Sequence, residues 1–382
     1  MRVVIVGAGI SGLALALGLQ HRGHDVTVIE EADGLRTGGA ALALWYNGRA
    51  ALANLGCDLN SVGCTIELLD IRSSNGRLAC RIDAARLSRR FGFEPLTIGR
   101  GELIEELASH LGSGTVLFGA PCRGVDQPGS SARVFLDGGS YLDADLVVGA
   151  DGHRSVMRRL FASPVPATPT GWSALQGLTR APLPLAEGTT STFVAGRGGA
   201  VGLMPAGQGL LQWWFDVRWP PEPRPTSTLE WLRERFRRWA PPVRDLLEVI
   251  NDDEIEPFPH VWHRVPPRLH SGRVALIGDA VHAMPPVLAQ GANQSIEDAW
   301  ILVRELGTAG SLNAALVAYQ RERRGKVAAA SRGARAPMLP LYAAFTMGTP
   351  RMPPWPSRIG TWAWGALIRS SSSTLPVTRS SQ

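Results

Sequence analysis

A continuous apolar run at Arg2–Val6 passes straight into glycines at positions 7, 9 and 12, and then into helical apolar spacing from Ile10 to His21. Few folds accommodate that succession. A strand buried in a parallel sheet is apolar on both faces, and a G-x-G-x-x-G turn at its end opens a helix. Gly7 permits the tight turn, Gly9 lets backbone approach a pyrophosphate, and Gly12 lets helix and strand pack closely. Ile10 and Ser11 belong to the same turn. Phosphates favour such a helix N-terminus because its free N–H groups and dipole attract anions. After Gly23 and His24, the strand Asp25–Glu30 completes a βαβ unit that begins at residue 2, with no leader ahead of it. Glu30 stands about twenty residues beyond the glycines, the spacing of a carboxylate that holds a ribose hydroxyl pair. An acid there disfavours a 2′-phosphate, so this pocket takes FAD or NAD rather than NADP. A signal-peptide core is the competing reading of the run, but glycines at phosphate-binding spacing favour strand, turn and helix.

Two further segments follow in order. DLVVGADG at Asp145–Gly152 is a buried strand, Leu146–Val148, that leads into Asp151-Gly152. GRVALIGDAVHAMPP at Gly272–Pro286 contains the strand Val274–Ile277 with Asp279 just beyond it. A carboxylate at that place can bond a ribityl hydroxyl; a helix N-cap is the alternative. Pro285-Pro286 sets a rigid turn. Gln290-Gly291-Ala292-Asn293 then offers small residues and N–H groups ahead of a helix, a nest suited to the pyrimidine edge of a flavin. His282 reads as a structural, hydrogen-bonded histidine rather than a general base.

The rest of the chain organises around these segments. Leu103–Leu111, Leu229–Trp239, Ser295–Glu305 and Ala314–Arg324 read as helices, with Glu297 and Asp298 in the opening turn of the third, where the macrodipole favours acids. Thr115–Phe118 reads as a strand, and Ala132–Leu136 with Tyr141–Leu142 as a hairpin about Asp137-Gly138-Gly139. Pro164, Pro166 and Pro169 mark a linker. Ser191–Ala195, Ala200–Met204 and Leu210–Trp219 read as antiparallel strands. The expected fold is α/β: a Rossmann-type, three-layer nucleotide-binding domain with a parallel sheet, built discontinuously from 1–65, 98–160 and 270–335. A mainly antiparallel β-sheet substrate domain from 66–97 and 161–269 is inserted, and 336–382 forms a C-terminal helical tail. That tail holds Trp355, Trp362 and Trp364 and the apolar pieces Leu339–Phe345 and Ile359–Ile368. A helix packed on the body is favoured over a pocket cover or a membrane-contacting segment.

The formal charge of +6 comes almost wholly from arginine, Lys326 being the one lysine. The arginines are scattered among acids, so nucleic acid is not an expected partner. Cys57, Cys64, Cys80 and Cys122 form neither a CxxC pair nor a disulfide framework, which suits buried thiols in a reducing cytoplasm. No metal-ligand cluster and no clear membrane span is visible.

GxGxxG, then ADG, then GDAxHxxxP followed by QGAN resembles the FAD-dependent aromatic monooxygenases of the para-hydroxybenzoate hydroxylase fold, from residue 2 to about Arg324. The resemblance implies FAD as cofactor, NADH or NADPH as reductant and O2 as oxidant. It implies an electron-rich ring as substrate, hydroxylated through a flavin C4a-hydroperoxide. It assigns Gly7–Gly12, Glu30 and the adjoining Glu31 to the ADP half, Asp279 to the ribityl–pyrophosphate region, and Ala43 and Leu288–Asn293, including Ala289, Gln290, Gly291, Ala292 and Asn293, to the flavin. Asp151 would serve both FAD and NAD(P)H. Arg36 and Arg100 match family arginines near FAD, and Val125 a position whose backbone meets the adenine. GGAALALWYNG and VGLMPAGQGLLQWWFDV are similar to the urate hydroxylases and related short hydroxylases. That branch places an arginine and a tyrosine in its substrate pocket where this chain has Ala200 and Gln212. A urate anion would lose its charge partner here. Such chemistry asks for water exclusion and orientation rather than a protein nucleophile. Tyr46 and Gln212 are the polar candidates beside the ring, with Trp214 and Pro285 as lining. Alternation puts Trp213 and Phe215 on one sheet face and Gln212, Trp214 and Asp216 on the other, without saying which face meets substrate. An aromatic or polycyclic substrate and a monomer or homodimer are expected. A flavin epoxidase, Baeyer–Villiger enzyme or reductase on the same fold, or a non-turnover flavin-binding protein, are the alternatives.

Overall fold

The computed structural model describes residues 1–59, 62–182, 185–335 and 356–375. Its first sheet has six strands in the order His270–Ser271, Val274–Leu276, Leu146–Gly149, Arg2–Val6, Asp25–Ile29 and Val116–Leu117. Neighbours run parallel except at the outer His270–Ser271 strand. The central strands are apolar throughout because other layers cover them. Helices Ile10–Gln20 and Gly291–Thr308 and a three-stranded antiparallel sheet (Gly124–Asp126, Ala132–Phe135, Tyr141–Ala144) pack against this sheet and share its apolar core. The expected α/β class and parallel sheet are found.

A second sheet has seven strands in the order Glu256–Trp262, Thr168–Arg180, Leu210–Arg218, Gly199–Gly207, Thr190–Gly196, Leu68–Ser73 and Leu78–Asp83. It is antiparallel except where Leu68–Ser73 runs parallel to Thr190–Gly196. A hairpin from the first hundred residues thus edges a sheet otherwise built from strands after position 167. Trp213 and Phe215 are fully buried against Phe236 of the helix Thr228–Phe236. The opposite face turns toward the short strand Ala41–Leu44, since Gln212 bonds Ala41 and Trp214 packs in a cluster with Ala43 and Trp45. This resolves the alternation left open above.

Three sequence expectations need correction. The helix expected at Ser295–Glu305 runs Gly291–Thr308. Glu297 and Asp298 therefore lie in its second turn, fully buried, and serve as ion-pair partners rather than dipole acids. The linker expected around Pro169 is the start of the long strand Thr168–Arg180; Pro169 sits beside a register shift, where a missing N–H is tolerated. The helix expected at Ala314–Arg324 extends over Leu312–Arg335.

Beyond the two main cores, a third apolar cluster sits where separate segments meet. It joins Ala43, Trp45, Tyr46 and Ala50, Met204 and Trp214 of the second sheet, Ala289, and Trp364, Ile368 and Leu375 near the C-terminus. The last three come with the helix Ser357–Ser371 and the residues after it. That helix seats closely because its inner face is small: a Cβ on Gly360 would stand 2.3 Å from Cys80 Sγ, and one on Gly365 2.8 Å from Leu87. Thr361 Oγ1 accepts from the Asp83 N–H at 2.9 Å. The packed-helix reading of the tail holds for these residues, with Trp362 left 68% exposed; Leu339–Phe345 and Trp355 lie outside the described residues. No helix among the described residues is long and apolar enough to cross a membrane. All four cysteines are free, Cys57 and Cys122 buried, Cys64 and Cys80 only half-buried.

Candidate flavin and substrate site

The three sequence motifs converge on one place. Gly7, at φ +108°, abuts the end of the Leu146–Gly149 strand, where a Cβ would stand 2.6 Å from the Ala150 carbonyl oxygen. Gly12 allows no Cβ either, as it would meet the Gly7 carbonyl oxygen at 2.0 Å. Gly278, at φ +62°, comes equally close to Ser11, with a Cβ 2.8 Å from its Oγ, and to Ser295 Oγ at 3.1 Å. The first glycine turn, the ADG turn and the GD turn are therefore mutual neighbours. Two helices point uncapped N-termini from this region: Gly9 and Gln290 give no side-chain cap to the helices they precede. A Cβ on Gly9 or on Gly291 would meet nothing within 4 Å. Free N–H groups beside open space are what a dinucleotide pyrophosphate and a flavin edge require.

Glu30 is held by the loop it serves. Its Oε2 accepts from the Ala8 N–H at 2.9 Å and its Oε1 from the Ala32 N–H at 3.0 Å, leaving lone pairs for a diol. Arg36 approaches Glu30 at 3.5 Å and pairs with the exposed Glu31 at 2.7 Å. Arg100 opens the helix Arg100–Ser109 and is exposed, its backbone N–H donating to the Ala40 carbonyl at 3.3 Å. Val125 is half-buried in the strand Gly124–Asp126, opposite Val134. Asp279 starts the short helix Asp279–His282 with its side chain exposed. Asp151 accepts from Ser155 Oγ and from the Met157 N–H at 3.1 Å, so it caps the turn after its own strand. Burial pushes its carboxyl above the usual range, against these hydrogen bonds. Beside it a cavity of about 370 Å³ is lined by His153, Arg154, Arg158, Arg159 and His263, among others. Burial, then the nearby Arg158 charge, lowers the His263 pKa.

The flavin loop is braced from beneath. Pro285 is buried ahead of the turn Pro286–Leu288, and Ala289 adopts φ +47°. The Asn293 side chain is turned inward. Its Oδ1 accepts from the Trp45 N–H at 2.8 Å, and its Nδ2 donates to the Ala43 carbonyl at 3.0 Å and the Ala289 carbonyl at 2.7 Å. Its role is to clamp the loop to the strand Ala41–Leu44. Gln290 Oε1 likewise accepts from Asn47 and Gln294, each at 3.1 Å. Asn293→Ala strands two buried backbone groups, the Trp45 N–H and the Ala43 carbonyl, at about 1–3 kcal/mol each, and frees the half-buried Ala289 carbonyl. We expect a lower urea midpoint and weaker FAD retention, read by denaturation and by flavin release on gel filtration.

Two polar candidates are corrected. Tyr46 is fully buried, donates its hydroxyl to the Ala84 carbonyl at 2.9 Å and packs on Phe91; burial pushes its phenol far above the usual range. Gln212 accepts from the Ala41 N–H and donates to the Trp213 carbonyl at 3.1 Å, so it ties the second sheet to the strand Ala41–Leu44. The Tyr46 hydroxyl proton and the Gln212 amide are thus both engaged by backbone groups of the protein itself. Trp214 lies across Gly202, whose Cβ would stand 2.0 Å from the indole, and remains a wall of the third cluster.

His282 donates from Nε2 to Asp298 Oδ2 at 2.7 Å, as expected of a structural histidine. The same oxygen accepts from the Gly278 N–H at 2.9 Å. Asp298 Oδ1 takes Arg323 Nε at 2.7 Å, and Arg323 also reaches Glu297 at 3.2 Å. Glu297 accepts in turn from Ser372 Oγ and from the Ser373 and Thr374 N–H groups at 2.9 and 3.0 Å. Sequence reading missed this chain of charges and the role of Asn47. The one signal for Asn47 was an Asn-Gly pair, which falls in the first turn of the helix Tyr46–Leu55.

The comparisons with known proteins decide the family. The FAD binding domain family matches residues 1–334. The chain belongs to this family of FAD-binding proteins. It is 31% identical over 342 residues to the FAD-dependent urate hydroxylase of Klebsiella pneumoniae, covering 86% of this chain and 87% of the relative. It is 32% identical over 333 residues to the aurachin C monooxygenase/isomerase of Stigmatella aurantiaca, covering 85% of each. The structure of Klebsiella pneumoniae HpxO complexed with FAD and uric acid superposes with a TM-score of 0.87 at 27% identity, over 97% of each chain. The expected flavoprotein hydroxylase family, with FAD as cofactor and an oxidoreductase activity, is the one these relatives define. The relatives' small substrates are heterocyclic or aromatic by their names.

Proposed function

We propose that this flavoprotein hydroxylates an aromatic or polycyclic small molecule, using NADH or NADPH and O2. The observation that supports it most is the third apolar cluster. Ala289 of the flavin loop packs against it, so an aromatic surface lies where the flavin ring would end. Bound FAD supplies the redox chemistry, taking reducing equivalents from NAD(P)H and activating O2 for transfer to the ring. The protein's part is to bind, orient and keep out water. Gly9 and the helix behind it hold the pyrophosphate, Glu30 the ribose and Asp279 the ribityl chain. The amides at Gly291 and Ala292 face the pyrimidine edge, where they stabilise negative charge. Trp45, Trp214, Met204 and Trp364 wall off solvent from the reacting ring. The basic cavity at His153, Arg154 and Arg159 suits the phosphates of a visiting NAD(P)H. In this reading the six-stranded sheet (1–65, 98–160 and 270–335) carries the cofactor and the seven-stranded sheet (66–97 and 161–269) carries the substrate.

The test is the visible spectrum of the purified protein, followed by NADH and NADPH oxidation against phenols and fused-ring aromatics. A yellow protein whose NAD(P)H consumption rises with one aromatic class, with oxygenated product exceeding hydrogen peroxide, is the expected result. A protein colourless after FAD addition, or a yellow one indifferent to every aromatic, would overturn the reading.

A further inference from the structure

We infer that the substrate is uncharged where it meets the second sheet, and that carboxylate- or urate-type anions are excluded. This rests on the hydroxylase reading above and concerns the same site.

The argument starts from sheet register. Ala200 pairs directly with Asp216, and Gly202 with Trp214. Alternation places Ala200, Gly202 and Met204 on the face that carries Gln212, Trp214 and Asp216. This is the face turned to the strand Ala41–Leu44 and to the flavin loop. Ala200 is fully buried in a small apolar cluster that includes Val287 of the turn Pro286–Leu288. No cation occupies that position. Its registered neighbour is an acid: Asp216 is 2% exposed and pairs with the 1% exposed His260 at 3.3 Å. The nearest cation along the same strand face, Arg218, is exposed and lies over the Trp172 ring at 5.5 Å, on the outer edge. An anion entering here would be desolvated beside the Asp216 carboxylate, which already engages His260, and Ala200 offers it no charge partner; that is strongly unfavourable in a buried site.

Next to Ala200 on the same sheet face, Gly202, Met204 and Trp214 lead into the aromatic third cluster. Trp45 and Trp364 meet edge to face at 4.9 Å. Trp214 and Met204 belong to the same cluster. Among the described residues the buried indole N–H groups of Trp45 and Trp364 have no acceptor, and Trp45 is only 4% exposed. A buried donor with no acceptor costs free energy that a ligand carbonyl or hydroxyl oxygen recovers. The substrate class is therefore a neutral fused-ring phenol or hydroxylated heteroaromatic with an oxygen acceptor on its rim.

The test uses the FAD-loaded protein and a matched pair of ligands, naphthol and the hydroxynaphthoate that differs from it by one carboxylate. Binding is followed by flavin absorbance changes and by tryptophan fluorescence, and turnover by NAD(P)H oxidation. Naphthol should bind at least tenfold more tightly, about 1.4 kcal/mol, and salicylate and urate should leave NAD(P)H oxidation at its basal rate. Ala200→Arg should reverse the preference toward the hydroxynaphthoate. Equal or tighter binding of the hydroxynaphthoate by the unmodified protein would overturn the inference and leave the hydroxylase reading standing. FAD-loaded protein that responds to neither ligand, nor to any other aromatic, would overturn both.

Discussion

A Gly9→Glu variant folds and stays colourless. Gly9 has an ordinary φ of −82° and a Cβ there meets no protein atom within 4 Å, so the polypeptide tolerates a side chain. In the proposed site that open space receives the phosphates, and the glutamate brings a negative charge to the helix end that should receive a dianion. We expect thermal stability within about 0.5 kcal/mol of the unmodified protein and FAD affinity down roughly a thousandfold, near 4 kcal/mol. Thermal denaturation and FAD titration read the two quantities separately. Near-normal FAD affinity would move the pyrophosphate away from this turn. Gly12 makes the contrast: a Cβ at that residue collides with the Gly7 carbonyl, so any substitution there damages the turn itself.

Arg323→Met should be the most destabilising single change outside the glycine turns. The guanidinium is wholly buried between Asp298 and Glu297 and also holds Gln294. Removing it leaves two buried carboxylates short of a cation, at about 3–5 kcal/mol. The pH dependence distinguishes charge from packing. Burial alone would raise the Asp298 pKa, but Arg323 and His282 overcome this and hold it below the usual value. A carboxyl depressed in the folded state stabilises fully above its unfolded pKa, about 4, and loses that contribution as pH falls through the folded value. In Arg323→Met the main depressing partner is gone, so Asp298 takes up a proton more readily and the deficit shrinks as pH falls from 7 toward 5. Urea denaturation at the two pH values measures this. A deficit of equal size at both would assign the loss to packing.

The cofactor half was legible because phosphate recognition uses backbone, and backbone demands glycine. Gly7, Gly12 and Gly278 each stand where a Cβ cannot fit, so their spacing survives as a readable pattern. The parallel strands were legible for a similar reason, being apolar on both faces. The substrate half was less so. Tyr46 and Gln212 looked available because polarity is visible in a sequence and hydrogen-bond partners are not; their partners, Ala84 and Ala41, are backbone groups that leave no mark. The Arg323 network joins residues 297, 298 and 323 to 372–374, and no local pattern announces a contact at such a separation. The start of the helix at Gly291 was misplaced because glycine is a poor helix former, although it suits an end that must stay open to a ligand.

The apolar junction draws its walls from stretches around Trp45, Met204, Trp214 and Trp364, none of which contains a phosphate-binding glycine. In the proposed reading, exchanges among these side chains alter what fits against the ring and leave the cradle untouched. After gene duplication a descendant is therefore free to drift in its choice of molecule while inheriting the oxidative step intact. The constraint falls instead on Asn293, whose amide ties the Ala289 carbonyl to the strand Ala41–Leu44.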